Sequence, residues 1–188
     1  DSGFLAKINT RISKGKLLNL HRYTGLHGHV HLTPLTDIVE KKEQQPHLFV
    51  RTLQGGGIHD DSEIIHLDGL LPKLPGTVIH KKEGEIHDGM WQLSNSLLGY
   101  DGVLTQSVTL ASEACIQGIP TLLVSKARRG FLDFLESENY PLIRCKESLE
   151  DLNSNELYLE WLKLVKQPTS SQSEWFDTME QWVAIIGN

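Results

Sequence analysis

Between Asp101 and Ala114 the chain reads DGVLTQSVTLASEA. An apolar run, Gly102-Val103-Leu104-Thr105, enters a polar turn, and helix-forming residues begin at once. Ser107 suits a helix N-cap, because its hydroxyl can accept from the N–H groups of the first turn. Those N–H groups and the positive end of the helix dipole suit a phosphate. Glu113 stands further along the same helix. A carboxylate there can accept two hydrogen bonds from a ribose diol. The spacing is equally that of an ordinary strand–helix connection with a surface glutamate.

Other residues could also do chemistry. His59-Asp60 and His87-Asp88 are each the pair an acid/base catalyst uses, since imidazole titrates near neutral pH. Such pairs are more often structural. His27, His29 and His31 alternate, and on a short strand they would share one face, where they could hold a transition metal. Only Asp37 lies near enough in sequence to complete a ligand set, so a polar face is the commoner outcome and no metal is expected. The loop Ser125-Lys126-Ala127-Arg128-Arg129-Gly130 offers cations to phosphates or to an acidic acceptor; it is also an ordinary solvated basic turn. The chain has no Walker-type glycine–lysine loop and no nucleophile elbow, which argues against a P-loop NTPase and an α/β-hydrolase.

These residues need elements to position them. Strands are expected at 47–53, 77–80, 102–105, 120–124 and 142–145. Helices are expected at 61–73, 86–96, 108–117 and 130–138. Gly118 stands where a helix C-terminal glycine belongs. Strands alternating with helices at this spacing imply right-handed βαβ units and a parallel sheet. The fold class expected is α/β: a Rossmann-like three-layer sandwich with a mostly parallel five- or six-stranded sheet and a helical C-terminus. Residues 153–187 read as two helices split at Gln167–Ser171. In the second, Trp175, Phe176, Met179, Trp182, Val183 and Ile186 fall at helical spacing and predict a core-facing stripe. The organisation expected is a linker or partial segment over 1–45, a nucleotide-binding domain over 46–152, and C-terminal helices over 153–188.

The bulk composition fits that reading. The chain has 188 residues, 39% hydrophobic and 22% charged, which is ordinary for a globular domain. A formal charge of −6 argues against nucleic acid, whose phosphates select basic surfaces. No apolar run approaches the roughly 18 residues of a membrane span, and no leader-like segment is visible. Cys115 and Cys145 are too few for a disulfide framework and read as buried thiols in a reducing compartment. A cytoplasmic location is the expectation. The start at Asp1 rather than Met suggests a piece of a longer or processed protein.

The stretch Ser107 to Pro120, SVTLASEACIQGIP, resembles the signature of the carboxyl-terminal half of GT-B proteins, in which Glu-Ala is followed by small or apolar residues and Gly-x-Pro. These are nucleotide-sugar glycosyltransferases and UDP-N-acetylglucosamine 2-epimerases. It is more closely similar to the archaeal and bacterial family called domain of unknown function 354, with which Thr109, Glu113 and Ala114 agree. Arg51 followed by His59-Asp60 resembles that family's Arg…His-Asp loop, and Ile86-His87-Asp88 its short helix before the third strand. The resemblance spans about residues 45–150. It implies a UDP-sugar as substrate, with no cofactor required. Gln106, Ser107 and Thr109 would hold the diphosphate, with Arg128 adding a cation. Glu113 would bind the ribose. Arg51, Gly56, Gly57 and His87 would face the sugar. His59 with Asp60 would be the base or orienting pair. It further implies a second Rossmann-like half, absent or on a separate polypeptide, with homodimerisation as another association to expect. A binding module without catalysis, working with a separate subunit, is the alternative. The chain departs from the family at Ser107-Val108, where the family has two glycines. Glycines allow close backbone approach to a phosphate, and Val108 narrows it.

Overall fold

The computed structural model describes residues 25–26, 28–32, 45–53, 65, 67, 69–85, 96–149, 151–168 and 175–186. Five strands form one sheet: β1 (His47–Thr52), β2 (Thr77–Lys82), β3 (Gly102–Thr105), β4 (Thr121–Val124) and β5 (Leu142–Cys145). Their spatial order is β2-β1-β3-β4-β5, and every neighbouring pair is parallel. The helices are α1 (Gly28–His31, a single turn), α2 (Val108–Ile116), α3 (Gly130–Ser137), α4 (Glu156–Val165) and α5 (Thr178–Ile186). The chain thus forms the expected parallel α/β sandwich with a helical C-terminus.

The strand sequences explain why the sheet is covered on both faces. Val103, Leu104, Leu122, Leu123 and Val124 are all buried, and parallel sheets bury both faces. Alternation then divides the core in two. Leu48, Val50, Leu104, Leu122 and Ile143 point to one layer, where Tyr158, Trp161 and Val165 of α4 meet them. Leu123 and Leu142 point to the other, against Ala111 and Cys115 of α2 and Leu132 and Leu135 of α3. Phe49 and Val103 join Leu110 and Ala114 on that side.

Helix ends follow local chemistry. Ser107 caps α2 and Asn155 caps α4, each side-chain oxygen accepting a backbone N–H three residues on. At the end of α2, Gly118 adopts φ +81°. Gly118 N–H donates to the Cys115 carbonyl at 2.9 Å and Ile119 N–H to that of Ala114 at 3.0 Å. That paired closure is the Schellman arrangement and it needs the left-handed residue glycine supplies. α3 ends the same way, but with Asn139 at φ 57° and Tyr140 N–H donating to the Leu135 carbonyl.

Three expectations are corrected. The helix over 61–73 does not form where its residues are described. Ile65 and Leu67 lie outside regular structure, Gly69-Leu70 is a turn, and only Leu71–Lys73 make a 3₁₀ turn. Pro72 and Gly69 oppose a helix interior, and Leu67, Leu70 and Leu74 reach the core from the turn instead. The strand suggested by His27, His29 and His31 is replaced by the helical turn α1, closed by Leu32 N–H donating to the Gly28 carbonyl at 2.9 Å. The C-terminal stripe is rotated away from expectation. Thr178 is fully buried, while Met179 is 48% and Val183 63% exposed. The cause is the fit of Thr178 and Phe176 against the backbone of Gly25 (φ +98°), where a Cβ would collide with both. The triple glycine at 55–57 and most of the helix expected over 86–96 lie outside the described residues.

Candidate functional site

Strand order fixes where a ligand belongs. Among the described elements, the chain after β1 returns as β2 on one side of it, whereas β3, β4 and β5 run out on the other. The order reverses between β1 and β3, and ligands of open parallel sheets sit in the crevice outside the carboxyl ends of the strands at that point. The residues there are Arg51, Thr52 and Leu53 after β1, and Thr105, Gln106 and Ser107 before α2. This is the segment singled out by its residue types.

The turn is built from its own side chains. Ser107 N–H donates to the Thr105 hydroxyl at 3.0 Å. The Ser107 hydroxyl accepts from Leu110 N–H at 3.4 Å, and its carbonyl accepts from Ala111 N–H at 3.0 Å. Among the described residues no acceptor meets the N–H groups of Val108 and Thr109. These are two of the donors that a helix start leaves over; Val108 is half-buried and Thr109 exposed. Replacing Ser107 with alanine is expected to lower stability by about 1 kcal/mol through loss of the cap. A urea unfolding midpoint that does not move would show that the hydroxyl is not capping α2.

Gln106 is buried, and both ends of its amide are hydrogen-bonded. Its amide oxygen accepts from Leu53 N–H at 3.0 Å, and its amide nitrogen donates to the Ile65 carbonyl. Its backbone N–H donates to the Arg51 carbonyl at 3.2 Å. The side chain expected to hold a diphosphate ties β3 to the segments that follow β1.

Glu113 is half-buried on α2, its side chain 16% exposed, and His31 Nε2 stands 3.3 Å from its Oε1. The two residues are 82 positions apart, and α1 delivers the imidazole. Arg128 is exposed in the loop after β4, at the same sheet edge, and its carbonyl accepts from the Arg129 guanidinium at 3.0 Å. Arg51 is half-buried on β1, level with Thr105 of β3 and Lys81 of β2. The structure therefore brings Arg51, Gln106, Ser107, Thr109 and Arg128 to the carboxyl edge of the sheet, with Glu113 further along α2. His59, Asp60, Gly56, Gly57, His87 and His27 lie outside the described residues.

Two partners were not foreseen. Arg144 on β5 is almost wholly buried. It pairs with Asp133 at 2.8 Å and Glu136 at 3.0 Å, and donates to the Ala127 carbonyl at 3.4 Å. It anchors the 125–129 loop from beneath. The only sequence signal was an arginine inside an apolar strand. The Thr52 hydroxyl meets His80 Nε2 at 2.9 Å across β1 and β2. Both cysteines are buried free thiols, and burial pushes Cys115 up to about 12 despite the Thr121 hydrogen bond. A thiol so placed is not a nucleophile. Among the described residues no group of three His, Cys, Asp or Glu could hold a metal, and no helix is long and apolar enough to cross a membrane. A depression of about 480 Å³ lies at the opposite edge, lined by Pro120, Pro141, Leu142, Glu136 and Glu160. Its two carboxylates do not suit a phosphate.

Fold and edge together define a parallel α/β domain with its candidate ligand crevice at the β1/β3 reversal. No family model, curated protein or solved structure matches the chain.

Proposed function

We propose that this chain is a nucleotide-sugar-binding domain of GT-B-like type that takes a UDP-sugar at the β1/β3 edge and serves glycosyl transfer or sugar 2-epimerisation with a second Rossmann-like half. The observation that carries the reading is the start of α2. Among the described residues no acceptor meets the N–H groups of Val108 and Thr109 at the strand-order reversal, and Glu113 lies on the same helix. Four residues at 1.5 Å rise put Glu113 about 6 Å beyond Thr109, a separation that suits a phosphate and the diol of the ribose attached to it. Arg128 on the neighbouring loop supplies positive charge for a departing diphosphate, and fixed donors of this kind stabilise a leaving group without a metal. His59 with Asp60 is the proposed base or orienting pair.

A second reading is binding without turnover. Val108 in place of glycine, and the capture of Leu110 N–H by the Ser107 hydroxyl, leave a narrower cradle than a glycine turn would give.

The test is thermal. UDP or a UDP-sugar at a hundredfold excess over Kd is expected to stabilise the chain by about 2.7 kcal/mol, or roughly 5–10 °C in Tm at this size. Glu113→Ala is expected to abolish the shift, measured against that variant's own unliganded Tm, because the substitution also removes the His31 contact. No shift with any of a panel of nucleotides and nucleotide sugars would sink both readings. Binding with no turnover, even when an amino-terminal half is supplied, would select the second.

A further inference from the structure

The two ends of the described chain meet at a single histidine. His29 on α1 is buried. Trp175 and Phe176, just before α5, stand edge-on to its ring at centroid distances of 5.1 and 5.3 Å. Its Nδ1 lies 2.9 Å from Leu26 N–H, which donates to it, and its Nε2 lies 3.4 Å from the Tyr140 hydroxyl on the α3–β5 connection. Around this ring the two segments interlock. Gly25 fits under Thr178 and Phe176, and Gly28 fits against Ile116 of α2. Two residues beyond His29, on the same turn, His31 reaches Glu113.

We infer that residues 25–26 and 28–32 together with 175–186 form a pH-operated latch, keyed by a neutral His29, that lies over the Glu113 face of α2. The inference does not depend on the nucleotide reading, since it concerns what holds Glu113 when no ligand does.

The sign follows from the surroundings of His29. Among the described residues its polar contacts are Leu26 and Tyr140, and neither supplies negative charge at neutral pH. Burial lowers its pKa, and the Leu26 backbone offsets this only in part. The other titratable groups nearby do not reverse the effect. Tyr140 is itself pushed up by burial, then by Glu138 and Cys115, and so stays protonated. On the segment before α5, Asp177 is exposed and accepts from Glu180 N–H. On α2 the carboxylate of Glu113 lies against His31. A released His29 regains the ordinary imidazole value of about 6.5. The open form then binds the proton more tightly than the closed one, so the latch is stable above that value and weakens as pH falls through it. One proton gives an opening constant that rises about tenfold per pH unit between 6.5 and the lower latched value, and levels off below that.

The experiment is amide hydrogen exchange by NMR on the whole chain from pH 7.5 to 5, expressed as protection factors, with the His29 ring titrated in parallel. Protection at 28–32 and 178–185 is expected to fall together, tracking protonation of His29, while the β1 and β3 amides keep theirs. His29→Phe retains an aromatic ring in the gap and cannot titrate, so the loss of protection on acidification is expected to disappear at both segments. The inference is overturned if the two segments open at different pH values, if the sheet amides open with them, or if His29→Phe keeps the pH dependence. Should that variant leave the segments undocked, the wild-type comparison still decides. Opening that does not follow the His29 titration curve rejects the latch.

Discussion

Trp161→Ala is expected to cost about 3–5 kcal/mol of folding stability, the range for removing a large aromatic side chain from a core. Trp161 sits on α4 with no exposed surface. Beneath it is Gly102 at the start of β3, where a Cβ would come within 3.1 Å of the indole. The sheet has left room for this ring. The indole N–H also donates to the Pro120 carbonyl at 3.0 Å, which ties α4 to the strand before it turns into β4. Two separable terms follow. Alanine removes both the packed volume and the donor. Trp161→Phe keeps much of the volume and removes the indole donor, while the Pro120 carbonyl still accepts from Val103 N–H at 2.9 Å, so the lost hydrogen bond is expected to cost about 0.5–1.5 kcal/mol. Urea unfolding with an unchanged slope checks both. Against a typical total of about 5–15 kcal/mol, the alanine variant would lose a large share of the fold. A loss below 1 kcal/mol would mean that α4 does not rest on the sheet as described. The C-terminal region is then not an appendage. α4 closes one layer of the core.

The sheet was legible in the sequence for a physical reason. β1, β3, β4 and β5 are buried on both faces, so their codes are short apolar runs separated by helix-length intervals, and βαβ connectivity leaves little choice of topology. Gly118 was legible because few residues other than glycine accept its φ. Asn139 does the same work at the end of α3 and gives no comparable signal, since asparagine is common in every turn. What failed was pattern without context. Ile64, Ile65, Leu67, Leu70 and Leu71 have helical spacing, yet Gly69 and Pro72 bend that stretch and its leucines reach the core from a turn. The alternating histidines suggested a strand, but what buries His29 are Trp175 and Phe176, far along the chain. α5 kept its helix and lost its predicted face, because Thr178 rather than Met179 fits Gly25. At the candidate site, the turn and its cap were readable from Ser107 alone. The partner of Glu113 was not, because 82 residues separate it from His31 and no local period encodes such a meeting.

Gln106 separates a ligand contact from a structural tie, and the two roles predict different outcomes. If its amide bound a phosphate directly, Gln106→Ala would leave the unliganded Tm unchanged and remove only the nucleotide shift. The geometry predicts the reverse. Its oxygen holds Leu53 N–H and its nitrogen holds the Ile65 carbonyl, both from the connection that leaves β1. Truncation strands two backbone groups, one fully buried and one half-buried. At about 1–3 kcal/mol for each unsatisfied group, with a discount for the one water can reach, the expected loss is about 2–4 kcal/mol. Gln106→Glu sharpens the test. An ionised carboxylate can still accept from Leu53 N–H but cannot donate to Ile65, and it brings a charge into a buried position. It is therefore expected to destabilise at pH 7 and to recover as the pH falls and the carboxyl becomes a donor. A variant that is instead stable at pH 7 and blind to pH would remove the tie from the account. If the tie holds, a ligand at the β1/β3 edge cannot recruit the Gln106 side chain without breaking the crevice wall. On the proposed reading it lies over that wall, with the α2 N–H groups and Glu113 as its contacts and Val108 setting the width of its seat.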